Sequence, residues 1–137
     1  MPEKLKVEVI TPRGVVLDKE VEEVIAPGIL GEFGVLIGHT PMLTFIKPGV
    51  LSYLDQDQFT RFAVGPGFCE VLRGGVTVLV DEAYAADEID GAAAAAESAQ
   101  LEQDLAKLDA AADQEAYARL LNKLKVARTK AALATRT

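Results

Sequence analysis

The chain has 137 residues and a mass of 14.6 kDa, half hydrophobic and 26% charged, which fits one domain or two small ones and excludes a disordered chain. A net charge of −7 and a pI of about 4.7 argue against a broadly basic nucleic-acid binder. One cysteine excludes an internal disulfide, and one histidine excludes any site built on two imidazoles.

No apolar run reaches the roughly 18 residues of a membrane-spanning helix. Met1 to Lys6 shows neither a signal peptide nor an Arg-rich transit segment. From the start, Leu5, Val7 and Val9 alternate with Lys4, Lys6 and Glu8, the period of a half-buried strand. Turn signals follow at Pro12-Arg13-Gly14, Pro27-Gly28, Pro48-Gly49, Gly65-Pro66-Gly67 and Gly74-Gly75. They separate short apolar runs such as Val15 to Leu17, Phe59 to Val64 and Val76 to Val80. Many short strands with frequent turns predict a flattened β-sandwich or barrel.

Composition then changes. All six prolines, all five phenylalanines and ten of eleven glycines precede position 83, whereas nineteen alanines lie at or beyond it. Alanine is the strongest helix former. The reading is β + α in two domains, 1–84 and 87–137, the second an antiparallel helical hairpin. Asp87 is the expected N-cap of the first helix, with Asp90 in its first turn. Leu101, Leu105 and Leu108 repeat at i, i+4 and i+7, as do Tyr117, Leu120, Leu121 and Leu124 with an added i+3. Asp109 to Asp113 reads as the connection, with Asp113 able to cap the second helix, and the end beyond Ala131 is expected to fray.

Charge divides the hairpin. Residues 81–111 carry nine acids and one base, a net −8; residues 112–137 carry six bases and two acids, a net +4. The alanine run 92–96 offers little side chain to bury, so the seam is weak. Two readings stay open, a small stable hairpin packed on the β domain and a hairpin that can open. Arg119, Lys123, Lys125, Arg128 and Lys130 form a basic cluster that fits an acidic partner better than a nucleic acid, since no aromatic residues are interleaved.

No catalytic constellation is visible. His39 is alone, Ser52 and Ser98 are the only serines, and Cys69 lies in an apolar run as an inert core residue. Gly28-x-x-Gly31-x-x-Gly34 lacks the Lys-Ser/Thr of a phosphate loop, and no metal site is expected.

One long string remains: Gly31-Glu32-Phe33-Gly34-Val35-Leu36-Ile37-Gly38-His39-Thr40-Pro41-Met42-Leu43-Thr44, continuing through Ile46-Lys47-Pro48-Gly49. It resembles the epsilon-subunit family of bacterial F-type ATP synthases, called delta in mitochondria. Val64-Gly65-Pro66-Gly67-Phe68-Cys69-Glu70-Val71, Val76 to Ala83, Ile89-Asp90 and Leu124-Lys125-Val126-Ala127 extend the likeness along nearly the whole chain. Ile37 stands where the family has proline, and Ala93 where nucleotide-binding members have arginine.

The resemblance implies a non-catalytic rotor subunit, peripheral on the cytoplasmic face of the bacterial inner membrane. It would bind the gamma subunit and the c-ring through Glu32, Phe33, Gly34, His39 and Pro41, with a turn-stabilising role for His39 as the other reading. The hairpin would brake ATP hydrolysis by extending its basic residues, Arg119, Lys123, Lys125, Arg128 and Lys130, towards an acidic segment of the catalytic beta subunit. No cofactor is implied; a nucleotide site would use Asp90, Arg119 and Lys123, weakened by the missing arginine at Ala93. The rival classes are an ATP sensor whose hairpin closes on nucleotide and an unrelated β-sandwich adaptor.

Overall fold

The computed structural model describes residues 3–135 and shows ten strands followed by two helices. The strands are β1 (Leu5–Thr11), β2 (Gly14–Val21), β3 (Glu23–Gly28), β4 (Gly31–Leu36), β5 (Met42–Ile46), β6 (Gly49–Asp55), β7 (Gln58–Val64), β8 (Gly67–Leu72), β9 (Gly75–Val80) and β10 (Ala83–Ala85). A 3-10 turn (Ala86–Glu88) leads into α1 (Gly91–Ala106) and α2 (Gln114–Thr135).

The strands follow the order β10-β7-β6-β3-β5-β8-β9-β1-β2, with β4 along the other edge of β3. Among the described residues only β1 and β9 pair in parallel. The sandwich turns its corner inside β3. Glu23, Val24 and Ile25 pair with β6, whereas Gly28 pairs with Ile46 of β5. Pro27-Gly28, expected as a turn, therefore lies within a strand: the Pro27 carbonyl accepts from Lys47 N–H at 3.0 Å, and the turn falls at Ile29-Leu30. A proline is tolerated where a strand changes partner, because the ladder is interrupted there.

Alternation on β1 buries Leu5, Val7 and Val9 as the sequence predicts. They join one core with Val21, Val24, Val35, Leu51, Phe62, Val71 and Val78. The edge strand β2 is tied to β6 by side chains. Asp55 Oδ1 lies 2.8 Å from Lys4 Nζ, its Oδ2 lies 3.7 Å from Lys19 Nζ, and its side chain is only 8% exposed. The Lys4 hydrogen bond, more than the lysine charges, holds the Asp55 carboxyl below its ordinary range, and the same bond raises Lys4.

The helices form an antiparallel pair with a small core of Leu101, Leu124 and Ala127, flanked by Leu105 and Leu120. The N-cap of α1 is Asp90, whose carboxylate accepts from Ala93 N–H at 3.1 Å; Asp87 falls in the 3-10 turn. Helix α1 ends at Ala106, so Leu108 stands beyond it. Asp113 precedes α2, but its carboxylate accepts from Asp109 N–H and braces the connection. Helix α2 runs past Ala131 to Thr135, with Leu133 fully buried, so no fraying begins at 131.

Helix α2 also lies against β6, β7 and the 3-10 turn, which folds the hairpin onto the sandwich. This explains the unbroken burial of Leu51-Ser52-Tyr53 and Phe62-Ala63-Val64. Strands covered on both faces lose the alternation of exposed positions.

Candidate functional site

The residues expected at a rotor contact share one edge. Glu32, Phe33 and Gly34 lie on β4, which among the described residues pairs only with β3, and His39 and Pro41 lie in the connection to β5. Glu32, Gly34 and Pro41 are exposed. Phe33 is half-buried against the core, and its ring lies over Gly28, where an added Cβ would come within 2.8 Å of it. The small residue is needed for that approach, so the glycine series is a hairpin device and not a phosphate loop. Gly38, at φ +84°, turns the chain into His39. The His39 N–H donates to the Leu36 carbonyl at 3.1 Å, and Nδ1 lies 2.7 Å from the Thr40 carbonyl. A carbonyl can only accept, so Nδ1 carries a proton in this contact. His39 thus braces its loop.

A second surface was not marked by the sequence reading. Phe45 of β5, Phe68 of β8, Leu79 of β9 and Ile10 of β1 stand in register across four strands on the outer face. Phe45 is 66% exposed and Phe68 43%. Leu43 and Ile29 extend this apolar patch, exposed Glu70 interrupts it before Leu72, and Leu30 at the β3–β4 turn is 98% exposed. A groove of about 500 Å³ runs from Ile29, Phe45 and Phe68 to Asn122 of α2. Contiguous exposed apolar surface on this scale marks an interaction face. The signal was present in Met42-Leu43-Thr44-Phe45-Ile46, a strand apolar on both faces while only one reaches the core.

The five bases of α2 divide into two groups. Arg128 donates to Glu102 at 3.0 Å, and Lys130 lies 3.6 Å from Glu97 and 4.1 Å from the centre of the Tyr84 ring. Arg119, Lys123 and Lys125 are exposed and form no ion pair among the described residues. Burial pushes the Asp81 carboxyl up, with the charge of Glu82 next, while backbone hydrogen bonds and, last, the charge of Lys123 oppose both.

Asp90, Arg119 and Lys123 are not brought together. Gly91 abuts Ala134 at the far end of α2, so Arg119 lies about 22 Å and Lys123 about 16 Å along the helix from Asp90. The cleft beside Asp90 is lined by three carboxylates, Glu88, Asp90 and Glu97, and by Ala93. Among the described residues its one cation, Lys130, is already paired. That charge pattern repels phosphate.

Among the described residues no group of His, Cys, Asp and Glu could hold a metal ion. Cys69 is fully buried, and burial pushes its thiol up to about 11, which leaves it unreactive at neutral pH. No helix is long and apolar enough to cross a membrane, again among the described residues.

Comparison with known proteins agrees with the fold. The family described as "ATP synthase, Delta/Epsilon chain, beta-sandwich domain" matches residues 4–86. The ATP synthase epsilon chain of Geotalea daltonii is 49% identical over 109 residues, covering 80% of this chain and 79% of that one. That of Geobacter metallireducens is 52% identical over 90 residues, covering 66% of this chain and 65% of that one. In the solved structure of the Euglena gracilis mitochondrial ATP synthase, a chain 21% identical superposes with a TM-score of 0.78, over 96% of this chain and 82% of that one, a likeness of fold. The match across the sandwich removes the reading as an unrelated adaptor, and the chain belongs to the delta/epsilon family of ATP synthase subunits, non-catalytic components of the central stalk.

Proposed function

We propose that the chain couples the gamma subunit to the c-ring and brakes ATP hydrolysis through its hairpin, from a peripheral position on the cytoplasmic face of the bacterial inner membrane. The observation that carries the coupling role is the exposed apolar row of Phe45 and Phe68, which fits a stable protein partner and is assigned here to gamma. The edge bearing Glu32, Phe33, Gly34, His39 and Pro41 is assigned to the contact with the ring and its junction with gamma. Glu32 supplies a charged acceptor there, and His39 holds the loop in shape.

The brake is assigned to Arg119, Lys123, Lys125, Arg128 and Lys130, acting on an acidic segment of the catalytic beta subunit when the hairpin is extended. The separation of charge between the two helices and the thin alanine seam support this reading. The test is ATP hydrolysis by the catalytic head rebuilt with the full chain or with a chain truncated after Ala86. The truncated form is expected to bind gamma and to release hydrolysis. Equal rates with gamma binding intact would leave coupling as the sole role.

A further inference from the structure

The apolar seam of the hairpin is unevenly distributed. Leu101, Leu105, Leu120, Leu124 and Ala127 occupy the half nearest the turn. At the other half, α1 presents the alanine run 92–96, of which only Ala94 is buried. On the α1 side only methyl groups are buried there, which contributes little, and the large buried side chain of this half is Leu133 of α2. It is in this half that Lys130 reaches across.

Three elements meet at its ammonium. Glu97 of α1 lies 3.6 Å away, and the Tyr84 ring of β10 lies beneath it, 4.1 Å to the ring centre. The Lys130 side chain is only 19% exposed, whereas Arg128 is 54% exposed in its pair with Glu102. A cation over an aromatic face gains most when water is excluded, while an exposed pair such as Arg128–Glu102 gains little. The ring is itself fixed. Tyr84 pairs with Ala63 of β7, and its hydroxyl donates to Glu82 at 2.7 Å.

We propose that Lys130, seated between Tyr84 and Glu97, is the latch that holds the hairpin folded on the sandwich, and that Glu97 and Glu102 act as an internal substitute for the acidic partner of α2. In the folded state the two α1 carboxylates occupy bases that the partner would take. Folding and partner binding then compete for the same charges. The consequence for hydrolysis rests on the brake reading given above; the latch itself is a property of the isolated chain.

The test uses the full chain with spin labels at Gln58→Cys and Ala110→Cys, both on exposed sites; the native Cys69 is buried and does not label. Pulsed distance measurement reads the ratio of open to folded hairpin. Glu97→Gln is expected to raise that ratio about three-fold and Tyr84→Leu about ten-fold. Lys130→Arg, which keeps charge and stacking, stays near the unsubstituted chain. Tyr84→Leu combined with Lys130→Met opens the hairpin no further than Lys130→Met alone, because both remove one contact. Tyr84→Leu and Glu97→Gln leave every base of α2 in place, so in the assembled enzyme both are expected to deepen inhibition of hydrolysis.

An unchanged distance distribution in Glu97→Gln and Tyr84→Leu, or additive effects in the double variant, overturns the latch. Should Tyr84→Leu fail to fold, Glu97→Gln on the exposed face of α1 still decides it. Opening without deeper inhibition overturns the brake reading and leaves the latch standing.

Discussion

Phe45 and Phe68 are direct cross-strand partners on β5 and β8, and both rings point away from the core. Neighbouring aromatic rings on a sheet surface supply a large, rigid contact area at low entropy cost, which is where binding energy concentrates. Phe45→Ser or Phe68→Ser is expected to weaken gamma binding at least 30-fold, from the loss of about 2 kcal/mol typical of a central aromatic contact. Stability moves little, because neither side chain belongs to the core. Titration calorimetry against gamma, alongside thermal unfolding, reads both quantities. Unchanged affinity in both variants would move the gamma contact off this face.

The sequence made the β part legible where one face meets the core. Leu5, Val7 and Val9 alternate with polar residues, and they are buried as that period requires. The same logic concealed the outer face, since a phenylalanine in a strand reads as core unless its register is known. Phe45 and Phe68 became recognisable only through pairing that spans about 20 residues of chain. Pro27-Gly28 misled for a related reason: local turn chemistry was right about an interrupted ladder, but the interruption is a change of partner within β3. The shift of the N-cap from Asp87 to Asp90 is a competition between two acids three residues apart. The 3-10 turn takes the first, and the alanine run begins just after the second. At the hairpin, the basic cluster was legible as charge, whereas the committed pairs of Arg128 and Lys130 depend on how the two helices align.

Arg119 and Lys125 are the cleanest probes of the acidic-partner contact, since neither is paired within the folded chain among the described residues. Arg119→Glu with Lys125→Glu is expected to relieve inhibition of hydrolysis about three- to ten-fold, leaving the folded hairpin intact. The residual inhibition should also vary less with salt, since fewer charges cross the contact. Steady-state hydrolysis across a salt series checks this. Undiminished inhibition would assign the contact to the other bases.

Asp55 makes a prediction about acid. Its carboxyl is lowered chiefly by the Lys4 hydrogen bond, so the unfolded chain takes up its proton first as pH falls. The stabilisation is complete above the ordinary carboxylate value of 3.8 and is lost as pH falls through the lower folded value. Lys4 is raised, so its share is complete below 10.5 and is lost as pH rises through the folded value above that. Asp55→Asn should lower the melting temperature at pH 7 and flatten its decline below about pH 4, where the carboxylate of the unfolded chain begins to protonate. Melting curves from pH 2 to 8 would show it. Parallel curves for the two proteins would mean that the clamp between β2 and β6 contributes nothing measurable.

Gly67 tests whether the β8–β9 edge tolerates any side chain. It pairs with Val80, and a Cβ built there collides with the Leu79 carbonyl oxygen and comes within 2.7 Å of the Val80 Cα. Those atoms are backbone, so the two strands must part or the ladder must shift. Gly67→Ala is expected to destabilise the sandwich by about 1–3 kcal/mol, the usual cost of overpacking. Gly38→Ala is the control for conformation alone, since Gly38 has φ +84° with nothing within 4 Å of an added Cβ. Its cost is backbone strain of about 1–2 kcal/mol and leaves the strands in place. Urea unfolding measures both. Displacement next to Phe68 should also make Gly67→Ala lose gamma affinity beyond what its unfolded fraction explains, while Gly38→Ala, in the β4–β5 connection at the far end of β5 from Ile46, leaves Phe68 in place and loses less.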